Sequence, residues 1–287
     1  MIDIQNIKSK FPIFQHYPEL VYLDSAATTQ KPRMVIDGIQ QFYEKENANI
    51  HRGLYDLAAK TTDKYEAVRE KVADFIGANS SKEVIYTSGT TASINLVAQS
   101  FVAPKLEEGD EVLISAMEHH ANLIPWQIIC QRKKAKLRVI PFLDDGTLDF
   151  DAFLQMIHSK TKFLAIVHIS NTFGTINPIE EMIKAAHEKE VPVLLDCAQS
   201  IAHYELNAAK LDIDFLVFSG HKIYGPTGIG VLYAKEEHAQ QMQPVVFGGD
   251  MIKNVTFEET SFADIPQRFE AGTTNIAGVI GLGYASD

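Results

Sequence analysis

Four stretches of this chain are apolar along most of their length: KFLAIVHIS (162–170), VPVLLD (191–196), IDFLVFS (213–219) and GIGVLYAK (228–235). A strand with one face in water alternates polar and apolar residues. A strand that does not alternate is covered on both faces, as in a parallel sheet between two layers of helices. Three more strand signals precede them: EVIYTS (83–88), DEVLISA (110–116) and LRVIPF (137–142). Helical periodicity fills the gaps, over residues 33–46, 63–76, GTTASINLVAQSF, Trp126 to Arg132, FDAFLQMIH, and IEEMIKAAHEKE after Pro178. This alternation predicts an α/β fold, a mostly parallel sheet with helices on both faces. Right-handed crossovers then gather the C-terminal strand ends along one edge, where open sheets bind their ligands. The positions to search are Thr87–Thr91, Ala116–His120, Ser170–Asn171, Asp196–Gln199 and Ser219–Lys222.

Charge narrows the partners. Lys and Arg number 26 against 37 Asp and Glu, a net charge of −11. With no basic run, that balance argues against nucleic acid or an anionic membrane as partner. No apolar run approaches the ~20 residues of a membrane span. The first residues lack the basic start and apolar core of a secretory signal. Cys130 and Cys197 are too few for a disulfide framework and form no zinc-type pair. A cytoplasmic chain is the expectation. The last stretch, TNIAGVIGLGYASD, opens as a small-residue helix and ends with neither cap nor polar tail, so the natural chain is expected to continue.

At the strand ends, Asp196 closes VPVLLD and Lys222 follows IDFLVFS. Each has a plain reading. The aspartate can cap a helix or join a buried ion pair, and the lysine can be a solvated strand exit. Together they match a lysine that forms a Schiff base and an aspartate that pairs with a pyridinium nitrogen, the pattern of pyridoxal 5'-phosphate (PLP) enzymes. Such a lysine must be neutral to attack a carbonyl, so its pKa must fall. TSGTTAS supplies a phosphate candidate, with Gly89, Thr90 and Thr91 opening a helix whose free N–H groups suit an anion. An ordinary N-cap is the alternative, and the lysine of a nucleotide P-loop is missing. Ser219 and His221 flank Gly220 and could donate to the same phosphate. His119 and His120 are adjacent, which turns their rings apart, and no metal-ligand spacing follows. No metal site is expected. His119 suits stacking on a flat ring, and His120 reads as a surface residue.

YLDSAATTQKP, HRG, MEHHANLIPWQ, HISNTFGTINP, DCAQS, SGHKIYGPTGIG and RFEAGTTN stand in order along the chain. In these motifs the chain resembles the group II cysteine desulfurases of the sulfur-mobilisation type, fold-type I PLP enzymes related to class V aminotransferases. The resemblance covers the whole chain. It implies an aspartate-aminotransferase-like large domain over 21–272, after an N-terminal segment 1–20. Residues 273–287 would begin the connection to a C-terminal small domain. It also implies a homodimer that takes sulfur from L-cysteine, leaves L-alanine, and passes a persulfide to a sulfur-acceptor protein for iron–sulfur cluster assembly.

The resemblance gives Lys222 covalent attachment of PLP and proton transfer, and Asp196 the pyridinium nitrogen. His119 would stack on the ring and act in acid–base steps. Gln199 would bond the ring oxygen, with Asn171 near it and the substrate. Thr90, Thr91, Ser219 and His221 would hold the phosphate, and Thr273 would reach the phosphate of the neighbouring subunit. Ala26, Ala27, His51 and Arg52 would lie near the substrate entrance.

The family's nucleophilic cysteine and its carboxylate-binding arginine belong to the C-terminal part and have no counterpart in these residues. Cys130 reads as helix core and Cys197 as packed under the cofactor. Ser88 and Ala92 stand where many relatives carry Arg and Glu. These residues alone are therefore expected to be inactive. A selenocysteine lyase or another class V aminotransferase-type enzyme would keep the same site, and a non-catalytic remnant that docks with assembly partners would account for the missing nucleophile.

Overall fold

The computed structural model describes residues 3–286. Its main sheet has seven strands: β1 (Val84–Thr87), β2 (Glu111–Ser115), β3 (Lys136–Ile140), β4 (Thr161–Val167), β5 (Val193–Asp196), β6 (Phe215–Ser219) and β7 (Gly230–Ala234). They lie in the order β1-β7-β6-β5-β4-β2-β3. The α/β reading, mostly parallel with helices on both faces, is therefore correct. One strand departs from it: β7 runs antiparallel to both β1 and β6. The tight GPTG connection after Lys222 returns the chain directly, with no crossover helix to restore the direction. Because β7 is the only reversed strand, β1 and β6 still end on the same side, opposite the start of β7 at Gly230.

The absence of alternation has the predicted cause. In β6, Leu216 and Phe218 enter one core, and Phe215 and Val217 enter the other. The first core is filled from the helices Asp56–Ile76, Ile179–His187 and Ile276–Ala285. The second is filled from Thr90–Val97 and Ile124–Lys133, with Trp126 fully buried. The strand β3 is one edge, and only Ile140 of its five residues is buried.

Most element bounds fall within a few residues of expectation. The helix expected over 63–76 begins already at Asp56. A second sheet, the hairpin β8 (Ile252–Val255) and β9 (Thr260–Phe262), was not anticipated. Its strands are short and largely exposed, so they lack the apolar run that marks the others. The stretch expected to start as a helix at the end of the chain does so over Ile276–Ala285, and its residues from Ile276 to Gly283 are buried. No helix among the described residues is long and apolar enough to cross a membrane.

Candidate active site

The adjacency of β5 and β6 sets the site. Asp196 sits opposite Val217, so the exit of β5 lies beside the Ser219–Lys222 exit of β6. Asp196 is 2% exposed. Its Oδ1 accepts the backbone N–H of Ala198 at 2.9 Å, a local turn bond that uses little of a carboxylate's capacity. It makes no ion pair within hydrogen-bonding reach among the described residues, which sets aside the buried-pair reading. Burial pushes its carboxyl up to about 6, against the Ala198 N–H and the charge of Lys222. A cationic partner would lower it again.

Lys222 ends the 3₁₀ turn Gly220–Lys222. It is half-buried. Burial holds its ammonium below the usual lysine value, although Asp196 works the other way. His119 stands before the 3₁₀ turn His120–Asn122, and its Nδ1 accepts the backbone N–H of Ala121 at 3.1 Å. In the neutral ring the proton is therefore on Nε2. Burial, then Lys222 and His120, lower its pKa and favour that neutral form.

A second group forms where β1 and β6 end. Ser219 Oγ accepts the N–H of Thr90 at 2.9 Å and lies 2.9 Å from the Thr90 hydroxyl. Close approach makes this possible. A Cβ at Gly230 would meet Gly89 Cα at 2.4 Å, and Gly89 itself has φ +149°. His221 turns its carbonyl to Thr29, whose N–H and hydroxyl both donate at 2.9 Å, and to Lys31 Nζ at 3.2 Å. Its ring Nδ1 is buried with no hydrogen-bond partner among the described residues. Thr91 is exposed, one residue into the helix.

Other expected residues lie further out. Gln199 Nε2 donates to the carbonyl of Ala26 at 2.9 Å, which brings the exposed Ala26–Ala27 turn to the exit of β5. Asn171 is exposed in the turn after β4, with its amide 3.4 Å from Thr172 Oγ1. His51 pairs with Glu66 at 2.8 Å and Arg52 with Asp250 at 3.0 Å. Thr273 is exposed. Among the described residues, neither the His51–Arg52 pair nor Thr273 forms a hydrogen bond or ion pair with the strand-end group.

Sequence reasoning missed two sets of groups. Glu118 ties the His119 loop to β2 and β4 with one hydrogen bond each and closes it onto Asn122 with a third. Arg69, 2% exposed, clasps Glu270 with bonds of 2.7 and 2.9 Å and packs its guanidinium over Tyr86 at 4.5 Å. Glu270 also accepts the N–H of Tyr86 at 2.8 Å, which fastens the EAGTTN segment to β1. Both cysteines are buried, as read. Burial pushes the Cys130 thiol up to about 11 and the Cys197 thiol higher still. No group of three or more His, Cys, Asp or Glu among the described residues could hold a metal ion.

A lysine of lowered basicity, a buried aspartate without a cation and an unpartnered imidazole beside a helix start fit the aldehyde, ring nitrogen and phosphate of PLP. The family described as aminotransferase class-V matches residues 21–287, which gives the class. A cysteine desulfurase of Synechococcus elongatus is 48% identical over 99% of this chain and 46% of its own length. A probable cysteine desulfurase of Vibrio cholerae is 47% identical over 100% of the chain and 72% of its own. The crystal structure of the cysteine desulfurase CsdA from Escherichia coli, in its S-sulfonic acid form, superposes with a TM-score of 0.92 at 42% identity, covering 100% of this chain and 71% of that one. The chain belongs to the cysteine desulfurase family.

Proposed function

We propose that these residues form the PLP-binding part of a cysteine desulfurase that takes sulfur from L-cysteine and leaves L-alanine. The observation that carries this is the placement of Lys222 near buried Asp196, whose carboxylate has no cation hydrogen-bonded to it among the described residues. When bound, PLP supplies an electron sink for the substrate carbon. Lys222 is the attachment point, and its lowered pKa favours the free amine that attachment and proton transfer need. Asp196 holds the proton at the ring nitrogen. His119 covers the ring face and presents Nε2–H. Thr90, Thr91, Ser219 and His221 hold the phosphate. Gln199 bonds the ring oxygen, and Asn171 stands near that oxygen and the substrate. Ala26, Ala27, His51 and Arg52 border the entrance, and Thr273 serves the phosphate of a second subunit, so the working form is a homodimer. Residues 21–272 make up the cofactor domain, with 273–287 leading onward.

The sulfur must reach a thiol that can approach the substrate. Neither buried cysteine can, so the persulfide would form on a thiol outside these 287 residues and pass to an acceptor protein for iron–sulfur assembly in the cytoplasm. The chain by itself is expected to form little alanine from L-cysteine. Adding PLP should produce a visible absorbance band that Lys222→Ala abolishes. A band of equal strength in Lys222→Ala, or none in the parent chain, overturns the cofactor assignment. Steady alanine formation by the chain alone overturns the assignment of the thiol.

A further inference from the structure

Glu118 precedes His119 in the chain, and its carboxyl reaches inward to three separate elements. Oε1 accepts the hydroxyl of Ser115, the last residue of β2, at 2.6 Å. The same oxygen accepts the backbone N–H of Val167, the last residue of β4, at 2.8 Å. Oε2 accepts the amide of Asn122 at 2.6 Å. Asn122 is fully buried, and its own oxygen accepts the indole N–H of Trp126 at 2.9 Å, so its amide cannot turn over without losing that bond. Val167 is followed by His168, whose N–H donates to the carbonyl of Asp196 at 3.0 Å. The His119 loop is thus fixed at both ends by one side chain, and through β4 it keeps register with the aspartate.

We propose that Glu118 is a positioning residue: by tying the loop 118–122 to β2 and β4, it fixes the His119 imidazole in one orientation and one tautomer. Among the described residues the ring's one hydrogen bond is the Ala121 N–H on Nδ1. That anchor holds only while Ala121 and Asn122 stay in their turn, and Glu118 holds Asn122 there together with the Asn122 N–H bond to the His119 carbonyl at 2.7 Å. Burial pushes the Glu118 carboxyl up to about 8, with Asp196 adding to the effect, against the hydrogen bonds from Ser115, Asn122 and Val167. The use of His119 against the cofactor ring rests on the function proposed above, but its placement by Glu118 does not.

Substitutions separate the two. Glu118→Gln keeps an oxygen for Ser115 and Val167 but sets its amide against the amide of Asn122, two donors face to face. Adding Asn122→Asp reverses that polarity, because the new carboxylate can accept from both Trp126 and the glutamine. Imidazole ¹⁵N spectra of the cofactor-free chain, with His119 assigned by its loss in His119→Asn, read the tautomer directly. The parent should give the Nε2–H form, Glu118→Gln a mixture of tautomers, and Glu118→Gln/Asn122→Asp the parent pattern again. An unchanged His119 pattern in Glu118→Gln, or no recovery in the double variant, overturns the proposal. In PLP titrations, Glu118→Gln should weaken binding about tenfold, and by nothing further in a His119→Ala background, as expected for groups that act through one another. Equal losses in both backgrounds overturn the link to His119. A parent that binds no PLP overturns the function instead, while the nitrogen spectra still decide the placement.

Discussion

Ser219 Oγ lies 2.9 Å from both the backbone nitrogen and the hydroxyl of Thr90, across 129 positions of sequence. One hydroxyl thus caps the helix that follows β1 and ties it to the exit of β6. Ser219→Ala leaves the buried Thr90 N–H without its acceptor, a loss of about 1 kcal/mol. Melting without ligand should fall by about 2–4 °C, and PLP should bind more weakly. An unchanged melt and unchanged binding would show that the cap is redundant.

The Arg69–Glu270 clasp makes a sharper prediction, because neither charge has water to fall back on. Removing one partner of a buried pair costs about 3–5 kcal/mol. Arg69→Met should lose that much in chemical denaturation. Arg69→Met/Glu270→Gln should recover part of it, since the buried Glu270 charge is gone, Glu66 keeps its bond to His51 after losing Arg69, and the glutamine still accepts the Tyr86 N–H. A double variant less stable than Arg69→Met would contradict this.

At the other end of β6, Asp214 accepts Nε2 of both His187 and His238 at 2.8 Å. The Asp214 bond raises the His187 pKa from 6.5, with burial opposing. Burial would raise the Asp214 carboxyl, but its hydrogen bonds outweigh that and hold it far below 3.8. A raised histidine stabilises fully below its unfolded value and loses that as pH rises through its folded value. A depressed aspartate stabilises above its unfolded value and loses that as pH falls. The unfolding midpoint should therefore decline above pH 6.5 and again below 3.8. Asp214→Asn should flatten both limbs, and an unaltered pH profile in that variant would rule the pair out as their source.

Both thiols should be silent in the folded chain, since each is buried with its ionisation pushed upward. A thiol-specific disulfide reagent should react with them only as fast as the chain unfolds, and with two per chain in denaturant. Rapid labelling of one thiol in the native chain would mean that Cys130 or Cys197 is within reach of a substrate.

The strands were legible because covered strands cannot carry alternating polar residues, and the ends of β5 and β6 pointed to Asp196 and Lys222. The direction of β7 was not legible, because an apolar run reads the same in either direction. Arg69, Glu270 and Glu118 were missed for a related reason. A charged residue within a helix or loop reads as solvated unless its partner is known, and the Arg69–Glu270 partners lie 201 positions apart. Glu118 stood beside the paired histidines that drew attention, but sequence gave no sign that its carboxyl turned inward. The hairpin β8–β9 was missed because nothing in its polar strands distinguishes it from a loop.

The reversed strand β7 also dictates an order of assembly. Among the described residues β1 has β7 as its one sheet neighbour, so residues 84–87 stay unpaired until residues 230–234 arrive. The contact between Thr90 and Ser219 waits for the same event. Pairings this distant in sequence form slowly, and a chain emerging from the ribosome cannot make them early. The Thr90–Ser219 end of the site is thus among the last parts to form, and a nascent chain has nothing assembled there until residues 230–234 have been made.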